Sequence, residues 1–189
     1  DSTDLQLIST TVHRSISEPA VEIDNSGSLF AGTVIIDDMT VISQSSNYSV
    51  ILEEVDAEIS GLDISGDGGG MFWSARGSTP SHFSNSVVWD SASNCIDLVS
   101  HTELIANGVS LMCDDSQPFL DHSIANFTSS SLVQGSSASN SFILNSSSHL
   151  RWISSEPILT PQNSEDDNIL DIMWKLDVHT INQNLLNIP

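Results

Sequence analysis

The chain has 189 residues, with 25 Asp or Glu against only 4 Lys or Arg, and its formal net charge is -21. A surface this negative repels phosphate backbones and anionic lipid headgroups, which excludes nucleic acid as a partner. Because 39% of the residues are apolar and lie in alternating runs, the composition favours a folded domain over a disordered chain. No apolar run approaches the ~20 residues of a membrane-spanning helix, so no membrane span is predicted.

The first part of the chain, residues 1–18, alternates weakly and is predicted to form an N-terminal arm or a strand that leads into the coils. A start at Asp1 without Met is expected of a chain whose export signal has been cleaved, or of a fragment of a larger chain. In residues 19–153, short apolar runs end repeatedly on Asp, Asn or Glu and a small polar residue. We assign this range to successive coils of one β domain covering residues 1–189.

The clearest pattern lies in residues 50–70, where three short alternating runs follow one another with only one or two residues between them. Alternation with period two places the apolar side chains of each run on one face of a strand. Glu53 and Glu54, then Ser60 and Gly61, are polar or permissive residues at which the chain can turn. The apolar positions are Val50, Leu52, Val55, Ala57, Ile59, Leu62 and Ile64.

An irregular repeat runs through the chain, marked by acidic or amide residues that close apolar runs at Asp24, Glu53, Asp90, Asp114 and Asn145. Intervals of roughly 20–50 residues are typical of solenoids whose corners carry loops of variable length. The longest interval contains a segment rich in Gly, Ser and Pro. It predicts a protruding loop insertion over residues 66–84.

Short strands in triplets, Gly or Asn/Asp corners and the Val-Glu-Ile-Asp-Asn-Ser-Gly pattern of residues 21–27 resemble right-handed parallel β-helix proteins of the pectate-lyase-like class. The resemblance covers residues 20–64 most clearly and 86–153 loosely. That class includes polysaccharide lyases and hydrolases, phage tailspikes, secreted adhesins and surface-layer proteins. It implies an all-β fold, a right-handed parallel β-helix, with little helix. The alternative is an antiparallel β-sandwich, whose strands also recur at short intervals.

The C-terminal part contains an acidic, Pro-containing loop over residues 154–168 and a strand or cap over residues 169–189. A β-helix ends in unpaired strand edges, which pair with any strand that arrives, including one from another copy. We therefore predict self-association into a filament or lattice, against the alternative that both ends fold back as caps. The assembly residues are Leu5, Leu7, Ile172, Trp174, Leu176 and Val178.

No catalytic residue is assigned. A glycoside hydrolase needs two carboxylates at one site. Neither Asp37-Asp38 nor Asp114-Asp115 can supply both, because neighbouring strand residues point to opposite faces. His101 and His122 each lie near an acid, yet no nucleophile accompanies them, and we interpret them as surface histidines. We expect an extracellular structural or surface protein without enzymatic activity. The alternative is a carbohydrate-binding or polysaccharide-cleaving β-helix protein.

Carboxylates are concentrated around residues 53–67, where Glu54, Asp56, Asp63 and Asp67 are candidate Ca²⁺ ligands near flexible glycines. The alternative is a solvated acidic face, because the spacing of an EF-hand loop is missing. No other cofactor is predicted.

Two features bear on the cellular compartment. Cys95 and Cys113 form a disulfide if the compartment is oxidising, or else remain two buried thiols. The sequons at Asn47, Asn126 and Asn145 fit a glycosylated protein that is extracellular or at the cell surface.

One apolar cluster, Met71-Phe72-Trp73, follows three glycines inside the predicted loop. Such a cluster either folds over the end of the solenoid as a plug or contacts a ligand. If the loop projects, Trp73 is a candidate for stacking on a carbohydrate partner.

Overall fold

The computed structural model describes residues 4–14, 18–27, 32–44, 47–90, 95–114, 117–134, 142–153, 162–163 and 167–173. Within these ranges the chain forms strands and no helix, and its sheets stack as a parallel β-solenoid of about 5 turns. The predicted all-β, parallel β-helix architecture is confirmed. The antiparallel β-sandwich is wrong, because every described strand pair is parallel.

The described strands are numbered in chain order. They are β1 (Leu5–Arg14), β2 (Val21–Asp24), β3 (Val34–Ser43), β4 (Val50–Glu53), β5 (Ala57–Gly66), β6 (Met71–Ser74), β7 (Ser81–Ser84), β8 (Val87–Asp90), β9 (Ile96–Val99), β10 (Leu104–Asn107), β11 (Ser110–Cys113), β12 (Phe119–Asp121), β13 (Ile124–Thr128), β14 (Ser131–Gln134), β15 (Ile143–Asn145), β16 (His149–Ile153), β17 (Gln162–Asn163) and β18 (Ile169–Met173).

The strands form two sheets. The 7-stranded sheet has the order β17-β15-β12-β9-β6-β4-β2, and the other strands form an 11-stranded sheet. The larger sheet divides at β5, because Glu58–Ser60 pair with β7 whereas Asp63 and Ile64 pair with β8. We call β7, β10, β13, β16 and β18 the first arm, and β8, β11 and β14 the second arm.

A column of residues with left-handed backbone bends each coil between the two arms. In β3 and β5 the bend lies within one strand, at Asp38 (φ 55°) and Gly61 (φ 66°). Glycine suits this place because a Cβ on Gly61 would lie 3.3 Å from the Asp38 backbone nitrogen of the neighbouring coil. The equivalent positions of other coils are Ser9, Asn85, Gly108 and Ser129.

The interior is filled by the apolar residues of the alternating runs. All the apolar positions predicted for residues 50–70 are at most 3% exposed, which confirms that pattern. Trp73 contacts Phe83 with ring centroids 6.2 Å apart. A second aromatic group, with centroid distances of 5.3 to 5.9 Å, consists of Phe127, Phe142 and Trp152.

Buried polar side chains join the coils at the corner between the 7-stranded sheet and the first arm. Ser123 Oγ accepts a hydrogen bond from the His101 backbone N–H at 3.1 Å, and Ser148 Oγ accepts from the Ser123 N–H at 3.3 Å. Asn168 Oδ1 accepts from the Ser148 N–H at 2.7 Å. These partners are 20 to 25 positions apart, which is one coil. The ladder satisfies corner N–H groups that are buried away from water.

The segment predicted as a loop insertion, residues 66–84, contains β6 and β7 and completes a regular coil.

The intervals between the acidic and amide marker residues are irregular because the markers lie on different faces of the solenoid. Asp24 and Glu53 pair directly in the 7-stranded sheet, whereas Asp90 pairs with Cys113 in the second arm. The marker intervals therefore compare different faces of the solenoid. Of the acidic loop 154–168, only residues 162–163 and 167–168 lie within the described ranges.

Candidate functional site

Strand β1 has an open edge at the N-terminal end of the described solenoid, where it pairs with β3 alone. The Leu5 N–H donates to the Thr33 carbonyl oxygen at 3.3 Å, so the N–H groups of Gln6 and Ile8 point away from β3. Leu5 and Ile8 are 41% and 52% exposed. Leu7 is half-buried and packs against the core. An unpaired strand with exposed apolar side chains is a template for another strand.

Strand β18 lies at the other end of the first arm, and its described partner is β16. Ile169, Ile172 and Met173 are 51%, 38% and 39% exposed. Their exposure gives the C-terminal end of the described arm an apolar surface. The other predicted assembly residues, which lie outside the described ranges, are Trp174, Leu176 and Val178.

The two terminal strands occupy the same columns of the solenoid. Paired residues, followed coil by coil, lead from Leu7 to Ile172 on the inner face and from Ile8 to Met173 on the outer face. On the same outer face, Gln6 leads to Asp171. Apolar positions of one end thus match apolar positions of the other.

The charge at this C-terminal end is partly compensated. Asp171 Oδ2 lies 3.0 Å from His149 Nε2 and 3.7 Å from Arg151 Nη2. The carboxylate is half-exposed and faces outward beside these two bases. The Arg151 guanidinium therefore offsets part of the charge of Asp171, the one acidic residue of β18.

The four candidate Ca²⁺ ligands are distributed over different parts of one coil. Asp56 is 6% exposed and accepts hydrogen bonds from the Gly77 N–H at 3.1 Å and from Ser78 Oγ. Glu54 lies at the corner after β4, Asp63 on the outer face of β5, and Asp67 after β5. In the part of the chain that the structure describes, no group of three His, Cys, Asp or Glu could hold a metal ion.

Cys95 and Cys113 are bonded to each other, with Cα atoms 5.2 Å apart. Both are at most 1% exposed. The bond joins the corner before β9 to the end of β11, so it closes most of one coil.

The three sequons differ in accessibility. Asn47 is exposed. Asn126 Nδ2 donates to Glu103 Oε1 at 3.2 Å, and Asn145 Nδ2 donates to Asp121 Oδ1 at 2.9 Å. Asn126 and Asn145 are half-buried, whereas Asn47 is exposed, so Asn47 is the most accessible of the three to a glycan.

Trp73 lies in the core and is 0% exposed. Its Nε1–H donates to the Val55 carbonyl oxygen at 2.8 Å. His101 Nε2 lies 3.1 Å from the Trp73 carbonyl oxygen, and the two rings meet edge-on at 4.8 Å. The side chain therefore offers no surface on which a sugar could stack. The surface position expected for His101 is also wrong, because this residue is 1% exposed.

The burial of His101 predicts a pH-dependent stability. Burial lowers the pKa of His101 from 6.5 to about 4, although the Trp73 carbonyl and the Asp56 charge act in the opposite direction. Because the unfolded chain takes up this proton first, His101 favours unfolding as the pH falls. The stability that depends on neutral His101 is fully present above about pH 6.5 and is lost towards pH 4. The free energy of unfolding is lower by about 2 kcal/mol at pH 5.

Urea denaturation of the wild type and His101→Gln at pH 7 and pH 5 measures this effect. Glutamine can still donate to the Trp73 carbonyl, and the carboxylates are common to both proteins. We expect the wild type to lose more stability than the variant between these pH values. Equal losses would contradict the assignment.

A second group with a perturbed pKa is the carboxyl of Asp97, on the outer face of β9. Burial raises the pKa of Asp97, while the hydrogen bond from the Tyr48 hydroxyl acts to lower it. The Tyr48 ring packs against Phe72 with centroids 5.5 Å apart. Tyr48 thus covers this part of the 7-stranded sheet and ties the 47–49 corner to it.

A cleft of about 370 Å³ lies on the outer face of the sheet near β1. The carboxylates of Asp37 and Glu58 and the imidazole of His82 line it, with Ile8 and Ile35 as apolar walls. Asp37 and Glu58 come from neighbouring strands, so acids from different coils meet here where the adjacent pair Asp37-Asp38 cannot. Asp38 instead accepts a hydrogen bond from Ser9 at the bend.

The second arm carries a row of exposed apolar side chains that the sequence alone did not predict. Trp89 is 46% exposed, Met112 37% and Val133 53%. The alternation of Val88, which is 0% exposed, with Trp89 was the available signal. Only the register of three coils shows that the side chains align.

The chain matches no family model, and no curated protein or solved structure matches it either. The fold defines the class, a parallel β-solenoid. The part of the chain that the structure describes contains no helix long and apolar enough to cross a membrane.

Proposed function

We propose that this protein is an extracellular structural protein that self-associates end to end into a filament or lattice, without enzymatic activity. The observation that carries the proposal is the match between the exposed apolar columns of β1 and β18. The Cys95–Cys113 bond and the exposed sequon at Asn47 support an oxidising, extracellular setting.

In the assembly, β18 of one copy lies beside β1 of the next, parallel to it. Ile172 then continues the inner column of Leu7, and Met173 continues the outer column of Ile8. Asp171 stacks over the uncharged Gln6, so like charges do not meet. Because this contact joins different surfaces of the two copies, it has no reason to close into a dimer and it propagates.

The net charge of -21 opposes the approach of two copies. Exposed charges are screened beyond about 8 Å at physiological ionic strength, and over shorter distances at higher salt. We therefore expect assembly to increase with salt concentration.

Ile8→Pro tests the contact. Proline removes an N–H that points away from β3, so the variant loses a donor to the next copy and no bond within its own sheet. We expect the concentration at which half the protein is assembled to rise by about tenfold or more, because a loss of about 1.4 kcal/mol is tenfold in an equilibrium constant. Light scattering and negative-stain microscopy across a salt titration provide the measurement.

Ile105→Ser is the matched control. Ile105 is 38% exposed but lies in the middle of the first arm, in β10. Its replacement should leave assembly unchanged. A wild-type protein that stays monomeric at every salt concentration would refute the proposal, and so would equal effects of the two substitutions.

A further inference from the structure

Three of the exposed apolar side chains away from the ends lie on the second arm, at Trp89, Met112 and Val133. Trp89 pairs with Met112, and Met112 pairs with Val133, so the three outward side chains stack in one column. We call these three residues the apolar ladder. It presents a continuous apolar surface that crosses β8, β11 and β14.

Polar groups flank most of the apolar ladder. The neighbouring outer column contains Asp63, Val87, Ser110 and Ser131, of which Val87 lies on the same strand as Trp89. Ser131 Oγ lies 3.1 Å from Ser110 Oγ. On the other side, the carboxylate-bearing Asp114 lines a cleft of about 160 Å³ together with the apolar ladder and Cys113. The residues that line this cleft include no Lys or Arg.

The platform under the apolar ladder is rigid. The inward side chains of the same strands, Val88 and Leu111, are 0% exposed. Cys113, next to Met112, is bonded to Cys95 at the corner before β9. A surface that is already ordered loses little conformational entropy when a ligand binds.

We propose that the apolar ladder binds a neutral saccharide chain that lies across the strands. The C–H face of a sugar ring packs on the Trp89 indole, whose ring face is negatively polarised. Sugar hydroxyls donate to the Asp63 and Asp114 carboxylates and bond with the serine hydroxyls. These carboxylates repel anionic glycans, which excludes uronate and sulfated chains.

The size of the surface favours a saccharide over a protein partner. Strands lie about 4.8 Å apart, so the apolar ladder spans about 10 Å, the length of a short saccharide. A stable protein interface buries about 800 Å² on each partner, which is far more than three side chains provide. A ligand a few ångströms wide with alternating apolar faces and hydroxyl edges fits this narrow row.

The test uses the soluble hexasaccharides of cellulose, chitin, xylan and mannan, with polygalacturonate and heparin as anionic probes. Titration calorimetry is done with the Ile8→Pro variant, so that the result does not depend on whether the wild-type protein self-associates. We expect at least one neutral hexasaccharide to bind and neither anionic probe to do so. Trp89→Ala should weaken binding by about tenfold or more, because exposed tryptophans dominate such contacts.

Trp89→Phe and Ile105→Ala are the matched variants. The phenyl ring keeps an aromatic platform and should retain part of the affinity, whereas Ile105 lies on the first arm and its replacement should change nothing. Binding that Trp89→Ala leaves unchanged refutes the proposal, as does the absence of binding to all four neutral probes. Trp89-dependent binding of a Lys-rich peptide instead of a saccharide would assign the surface to a protein partner and overturn it.

Discussion

Replacing Trp73 by alanine is expected to destabilise the protein by about 3–5 kcal/mol. Its indole is 0% exposed, contacts Phe83 and His101, and donates a hydrogen bond to the Val55 carbonyl oxygen. Truncation leaves a cavity between the two sheets and a buried carbonyl without its donor. Strands from neighbouring coils, β4 and β9, flank β6 and would lose contacts together.

Chemical denaturation followed by circular dichroism measures this loss. Trp89→Ala provides the comparison, because it removes the same side chain from an outward position that is 46% exposed. We expect it to cost under about 1 kcal/mol, as surface substitutions usually do. Similar losses in the two variants would contradict the placement of Trp73 in the core.

The three glycines that precede Met71 explain why residues 66–84 were predicted to be a loop and not a coil. Gly68, Gly69 and Gly70 precede Met71 and predict a flexible loop when the sequence is considered alone. In the structure they allow close approach of two backbones, since a Cβ on Gly69 would lie 1.3 Å from the Asn47 carbonyl oxygen. The glycines are required by packing between coils, and local sequence does not distinguish this requirement from flexibility.

Alternation predicted the strands well because it depends on burial along a single strand. Positions such as Val50, Leu52 and Ile64 followed directly from it. Side chains that meet across coils were harder to predict, because their proximity depends on corner lengths that vary. Asp37 and Glu58 line one cleft, and Trp89 and Met112 one column, although each pair is separated by about one coil of sequence.

Corner residues were the least predictable part of the candidate sites. Asp56 was grouped with Asp63 as a calcium ligand because the two are close in sequence. The corner instead turns Asp56 inward, where Gly77 and Ser78 satisfy its carboxylate, while Asp63 faces outward. His101 was predicted to lie at the surface because its neighbours in sequence are polar. The local sequence does not show whether a corner histidine points inward or outward.

Removing the disulfide by the double substitution Cys95→Ala and Cys113→Ala is expected to cost about 3 kcal/mol in the chain-entropy model. The bond closes a loop with a sequence separation of 18, and its loss restores the conformational freedom of that loop to the unfolded chain. Alanine is the suitable replacement because both positions are at most 1% exposed, and a serine hydroxyl would be buried there.

Urea denaturation with and without a reductant separates the bond from the side chains. Reductant should lower the midpoint of the wild type towards that of the double variant and leave the double variant unchanged. The stabilising role of the disulfide would be contradicted if the urea midpoint of the wild type did not change on reduction, with mass measurement showing that the bond is reduced. Two free thiols in protein secreted through an oxidising compartment would also weigh against the proposed extracellular localisation, because thiols this close in the folded chain oxidise readily there.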